Sequence, residues 1–275
     1  MDNKENKIRL SVITFCLDNS KGITRTADSI VSERYAGMEW IIVRGNKVRL
    51  DGLKGRGAEW KEFVAEEREP IGTLMNKAVK VASGTWVLFM PKGSSFPSVR
   101  TLALFDKRLV DCYDIVAGDT LRKGPLGVHL EEAMPLGRMR GKLPFRLEST
   151  FLKRETLLDN PFDADYRAAL DFELLLRLRS REVVDLVTKE PVTLSQSGML
   201  PSGFLGIARV TERRRALGKE GGIRHLLGWG FEATGLLCKA LMGLVFPRAL
   251  RDIRKVAKVR RQLYEMDRSL DLKEA

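Results

Sequence analysis

Short apolar runs alternate with stretches of helical period through the first 120 residues. Leu10–Phe15 (LSVITF), Glu39–Val43 (EWIIV) and Trp86–Met90 (WVLFM) are brief, continuous and rich in β-branched or aromatic residues, as buried strands are. Between them, Ile23, Ala27 and Ile30 fall near helical spacing within Ile23–Val31. Leu74, Met75, Ala78, Val79 and Ala82 share one face of a helix predicted over Ile71–Ala82, which Gly84 is expected to end. Pro97–Leu109 reads as a further helix. Strands that are apolar throughout, each followed by a helix, predict a mostly parallel sheet covered on both faces.

The pattern then weakens. Residues 118–148 are rich in Gly, Pro and basic side chains without a clear period, and are expected to be mostly loop. Leu170–Leu178 (LDFELLLRL) restores a strong helix, with Leu170, Leu174 and Leu178 in register, and Val183–Val187 reads as a short strand. Pro201–Gly203 marks an expected boundary between a main domain, residues 1–200, and a helical tail, residues 201–275.

Composition sharpens this picture in four ways. With 275 residues and 44% apolar content, the chain can bury a substantial core. Three cysteines (Cys16, Cys112, Cys238) without metal-like spacing, and a polar start lacking an apolar h-region, point to a reducing cytosol. Two histidines, His129 and His225, leave little room for chemistry that needs several imidazoles. The net charge of +12 is uneven, since residues 201–275 hold 16 Lys and Arg against 8 Asp and Glu. Within that tail, Leu226–Phe246 is apolar but carries Gly228, Gly230, Gly235, Gly243, Glu232 and Lys239, which argue against a membrane span. Arg248–Leu263 alternates Arg251, Arg254, Lys255, Lys258 and Arg261 with Leu250, Ile253, Val256 and Leu263. That is a basic amphipathic helix suited to anionic lipid, with Trp229 and Phe231 as interfacial anchors; a helical pair packed on the domain fits as well. No nucleic-acid module is recognisable, so a nucleic-acid partner is not expected.

Four segments in order resemble family 2 glycosyltransferases of the GT-A fold. They are LSVITFCLDNSKGITRTADSIVSERYAGMEWIIVRG, EPIGTLMNKAVKVASGTWVLFM, ESTFLKRETLLDNPFDADYRAALDFELLLRL and SQSGM, together spanning about residues 8–199. The resemblance implies transfer of a sugar from a nucleotide-sugar donor to a lipid- or glycan-linked acceptor in bacterial surface polysaccharide synthesis, at the cytoplasmic face of the membrane. It places Thr14 at the border of the base pocket, and Cys16 where family members often carry an aromatic residue. It aligns Asp171 with the family's catalytic base, whereas the local reading of Asp171 is equally a helix cap.

The departures lie on the donor side. Arg44 stands where the family has a base-contacting aspartate, and Arg68, beside Glu66, Glu67 and Glu69, replaces a second one. The paired metal-binding aspartates correspond to Pro91-Lys92-Gly93-Ser94, and no carboxylate lies between Leu88 and Arg100. A hard cation on a diphosphate needs oxygen ligands, so no divalent metal is expected. Two expectations follow. Either Arg44, Arg68 and Lys92 neutralise the diphosphate, with Gly93 and Ser94 offering backbone N–H groups, or the donor site is lost and the protein is a binding or scaffold subunit. Taken singly, each basic residue also fits a solvated loop.

Overall fold

The computed structural model describes residues 9–19, 21–124, 127–181, 183–196, 211–213 and 215–218. Eight strands among them form one mixed sheet. β1 (Leu10–Cys16), β2 (Met38–Gly45), β3 (Lys61–Ala65) and β4 (Trp86–Phe89) run parallel in the order β3-β2-β1-β4. β7 (Thr150–Lys153) joins antiparallel between β4 and β5 (Ile115–Gly124). β6 (Gly127–Glu131) pairs antiparallel with β5, and β8 (Asp185–Gln196) pairs with it in parallel.

The alternation of side chains along each inner strand explains the apolar runs. Leu10 and Val12, Trp40 and Ile42, Trp86 and Leu88 point to one core, packed under α1 (Ile23–Glu33) and α3 (Thr101–Asp106). Ile13, Ile41, Val43, Val87 and Phe89 point to the other, packed under α2 (Ile71–Val81), α4 (Arg154–Asp159) and α5 (Leu170–Arg179). Both faces are dry, so no polar residue is tolerated on either unless paired. Glu39 is a buried carboxylate paired in this way. It accepts from the Ser11 hydroxyl at 2.5 Å, the Ser83 amide at 2.5 Å and the Lys61 ammonium at 2.7 Å.

Four expectations need correction. Residues 118–148 are not mostly loop, because β5 and β6 form an antiparallel ladder from Thr120↔Glu131 to Gly124↔Gly127. Only Leu121 and Leu130 of this ladder are buried apolar residues, so no apolar run betrays it. The helix expected from Pro97 begins at Thr101, after a turn held by the Ser98 amide bonding the Thr101 hydroxyl. The strand expected over 183–187 spans Asp185–Gln196 and absorbs Pro191 at a register shift. Gly84 does not end α2, which stops at Val81. A Cβ at Gly84 would meet the Ser11 backbone nitrogen at 2.7 Å, so the glycine is there for the close approach of β1.

Part of the expected tail packs on the main domain. Residues 211–213 and 215–218 are helical, and Ala216 is buried in the core beneath α5. Leu226–Leu263 and Pro201–Gly203 lie outside the described residues.

Candidate active site

α1 and α2 pack on opposite faces of the sheet, which puts the crevice where α/β sheets generally hold ligands at the carboxyl ends of β1 and β4. Its floor is unusually tight. Gly22, at φ 88 before α1, lies so close to Gly93, at φ 85, that a Cβ on Gly22 would meet the Gly93 Cα at 3.0 Å. The Gly93 amide donates to the Thr26 hydroxyl at 2.9 Å, which in turn donates to the Ser94 carbonyl at 2.9 Å. The Ser94 amide donates to the Pro91 carbonyl at 3.0 Å. Both amides are therefore committed internally, and the expectation that Gly93 and Ser94 present N–H groups to a phosphate is corrected. The Ser94 hydroxyl is buried and makes no hydrogen bond among the described residues.

Lys92 dominates this end of the sheet. Its side chain is 11% exposed, and its ammonium donates to the Asp18 carboxylate, to the Asn19 carbonyl at 2.8 Å and to the Asn19 Oδ1 at 3.0 Å. The bond from Lys92 holds the exposed Asp18 carboxyl below its usual range. Thr14 and Cys16 are both fully buried. The Thr14 hydroxyl is buried and accepts the Trp40 indole N–H at 3.0 Å, and Cys16 sits in the core where burial pushes its thiol up to about 11. Arg44, at the end of β2, is turned to β3 and pairs with Glu62 at 3.1 Å. Arg68 is exposed, at φ 62, in the turn before α2. The structure thus brings Lys92 to the β1/β4 crevice and leaves Arg44 and Arg68 on its flank.

Beside the crevice lies a cavity of about 380 Å³, lined by Gly118, Thr120, Glu131, Lys142, Arg146 and Arg213 among others. A chain of contacts joins the two. Ser95 pairs with Leu194 of β8 through both backbone bonds, the adjacent Thr193 hydroxyl bonds Ser149 at 2.7 Å, and Ser149 accepts from Thr120 at 2.8 Å. The cavity wall is a charge network that the sequence reading missed. Arg146 pairs with Glu131 at 2.7 Å, and Arg122 bridges Glu131 and Glu148 at 3.1 Å each. Burial would raise the Glu131 carboxyl, yet Arg146 and Arg122 hold it below its ordinary value. Burial raises Glu148, and the Arg146 guanidinium is held charged against burial by Glu131, Glu148 and Asp171.

Asp171 is the second residue of α5. Its Oδ1 accepts the Phe172 amide at 2.8 Å, and no other hydrogen bond to it exists among the described residues. Arg146 of the cavity wall interacts with it through charge, and Arg213, which also lines the cavity, stacks over the adjacent Phe172 ring at 5.1 Å. Asp171 thus holds one first-turn amide of its own helix, and Glu212 accepts the amides of Arg167, Ala168 and Ala169 just ahead of it. Asp163 and Asp165 shape the preceding turn, with the Asp165 amide bonding the Asp163 carboxylate at 3.0 Å. Among the described residues no three His, Cys, Asp or Glu side chains converge.

No protein-family model matches the chain. A Mycobacterium tuberculosis protein named uncharacterized glycosyltransferase Rv1514c is 25% identical over 211 residues, covering 67% of this chain and 71% of that protein. In structure, the chain is similar to S. aureus TarS 1-349 in complex with UDP-GlcNAc, with TM-score 0.57, 17% identity and 72% of this chain covered. It is also similar to the mannosyltransferase PcManGT from Pyrobaculum calidifontis, in complex with GDP-Man and Mn2+, with TM-score 0.55, 15% identity and 93% of this chain covered. The match spans 60% of TarS 1-349 and 85% of PcManGT, and 36% of a longer TarS chain. The fold is therefore the GT-A-like fold of glycosyltransferases, a mixed and mostly parallel sheet with helices on both faces.

Proposed function

We propose that this GT-A-fold relative of family 2 glycosyltransferases transfers a sugar from a nucleotide-sugar donor to a lipid- or glycan-linked acceptor hydroxyl. The observation that carries this is Asp171 at the start of the helix beside the cavity, within electrostatic reach of Arg146 and with one carboxylate oxygen not hydrogen-bonded among the described residues. In this reading the Asp171 carboxylate takes the acceptor hydroxyl's proton. The acceptor oxygen attacks the anomeric carbon from the face opposite the leaving group, and the glycosidic electron pair departs with the nucleoside diphosphate. The stereochemistry inverts.

The donor would enter the crevice with its diphosphate toward Lys92. GT-A relatives are associated with a divalent cation, as PcManGT is with Mn2+, but the residues here do not suit one. The loop after β4 presents an ammonium already bonded to Asp18 and Asn19, and no carboxylate. In the proposed reaction Lys92 passes from Asp18 to the diphosphate and offsets the charge that develops on the leaving group. No step is routed through a metal. The internal bonding of Arg44, Gly93 and Ser94 favours a second reading, a non-catalytic protein that keeps the fold as a binding or scaffold subunit.

The two part in a thermal-shift screen over nucleoside diphosphates and nucleotide-sugars, followed by turnover of the best donor. The enzyme reading expects a specific stabilising hit, and Asp171→Asn turnover lower by on the order of 10²–10⁴-fold with donor binding little changed. Silence across the panel supports the scaffold, and an Asp171→Asn variant that loses stability but keeps turnover assigns the residue to helix capping.

A further inference from the structure

The helix that carries Asp171 begins without help from its own sequence. Its N-cap position is Ala169, which has no side chain able to accept a backbone amide. The amides just ahead of it are instead gathered by one remote carboxylate. Glu212 accepts the Arg167 N–H at 3.0 Å, the Ala168 N–H at 2.7 Å and the Ala169 N–H at 2.8 Å, all three at Oε2, and the Arg167 N–H also reaches Oε1 at 3.1 Å. The same short helical stretch grips the segment further. Arg213 lies over the Phe172 ring at 5.1 Å, Arg215 lies over Tyr166 at 5.4 Å and reaches Asp165 at 3.3 Å, and Ala216 is buried in the core.

We propose that Glu212 is a positioning residue for the transfer, setting both the orientation and the basicity of Asp171; this rests on the reading of Asp171 as the base. Two physical effects combine. Three amides held by one carboxylate fix the backbone at the entry to α5, and so fix where the second residue of the helix points. A helix N-terminus also carries partial positive charge that favours the ionised form of a nearby carboxyl and weakens it as a base. A full negative charge seated on that terminus offsets the effect. The charged groups facing Asp171 are Arg146 from the cavity wall, with Glu131 and Glu148 behind it. The elements around the start of α5 also carry Arg213 and Glu212, Arg167 and Asp165 in the preceding turn, and Glu173 and Arg177, paired at 2.9 Å, on α5 itself. Arg146 and Arg213 bring positive charge to this end of the helix, and Glu212 brings negative charge to the amides at its entry.

The test compares wild type with Glu212→Gln, which keeps the size and one acceptor but removes the charge. Turnover of the donor found in the screen should fall about tenfold, with the KM for that donor unchanged. The acid limb of the kcat/KM profile should move to lower pH by roughly 0.2–0.7 units, the size of a helix-terminus charge effect. Amide hydrogen exchange at Arg167–Ala169 should speed up. A variant whose profile does not move overturns the inference, whether or not its stability falls. If Glu212→Gln does not fold, Glu212→Asp, which keeps the charge but withdraws it by one methylene, should lose turnover while moving the acid limb less than 0.2 units; unchanged turnover there overturns the inference as well. A wild type that turns over no donor defeats the reading of Asp171 as base, and this inference with it, whereas normal turnover by the variant defeats the inference alone.

Discussion

Glu33, at the end of α1, spans two helices with one carboxylate. Its oxygens accept the Thr101 amide at 3.2 Å and the Leu102 amide at 2.9 Å, capping α3, which has no side-chain cap of its own. Burial nonetheless raises its pKa from 4.5 to about 7, the amide bonds opposing only in part. The sign of the linkage follows. Between pH 4.5 and 7 the folded chain holds a proton that the unfolded chain has released, so stability falls as pH rises through that window. A shift of that size is worth about 3 kcal/mol. Denaturation midpoints across pH 5 to 8 should therefore decline less steeply for Glu33→Gln than for wild type. Equal slopes would show that the cap bonds, not burial, govern Glu33. Lys92 makes the opposite case among residues. Its position after the third apolar run was legible in the sequence, but its grip on Asp18 and Asn19 was not, because the β1–α1 loop carries no pattern that fixes where it folds back.

Among the elements, legibility followed burial. β1, β2 and β4 are covered on both faces and announce themselves as apolar runs. β3 is an edge strand whose Lys61, Glu62 and Val64 are exposed, and the β5–β6 ladder buries only Leu121 and Leu130, so neither shows a period to read. The Glu131–Arg146–Arg122 network was lost with that ladder, since residues far apart in sequence look like unrelated surface charges until the strands pair. The cap from Glu212 was lost for a similar reason, because no local pattern predicts a carboxylate arriving 43 residues after the amide it accepts. Strand ends also set the crevice. At Gly45 an added Cβ would meet the Leu17 carbonyl oxygen at 2.2 Å, a backbone atom that cannot swing away. Gly45→Ala should push the ends of β1 and β2 apart, costing about 1–3 kcal/mol in denaturant unfolding. It should also weaken nucleotide binding at the crevice. Wild-type stability with unaltered binding would show that the two strand ends are looser than this packing requires.

Over the whole molecule, charge and fold divide the work. Residues 201–275 carry 16 Lys and Arg against 8 Asp and Glu, while the described residues include the Lys92 loop and the cavity beside it. No helix among the described residues is long and apolar enough to cross a membrane. If the basic residues of the tail meet anionic lipid, deleting residues 221–275 should abolish sedimentation with anionic vesicles and leave thermal unfolding of the remainder cooperative, since Glu212 and Ala216 stay in place. Loss of folding, with no vesicle binding by the full chain, would make the tail part of the core. The central claim is that an ammonium stands where GT-A relatives are expected to hold a cation, and it is tested most directly by calorimetry of a nucleoside diphosphate in excess EDTA and again with Mn²⁺. The account predicts equal affinity in both, weakening as salt rises and falling by about 1–3 kcal/mol in Lys92→Ala. Binding that appears only with the metal would contradict it.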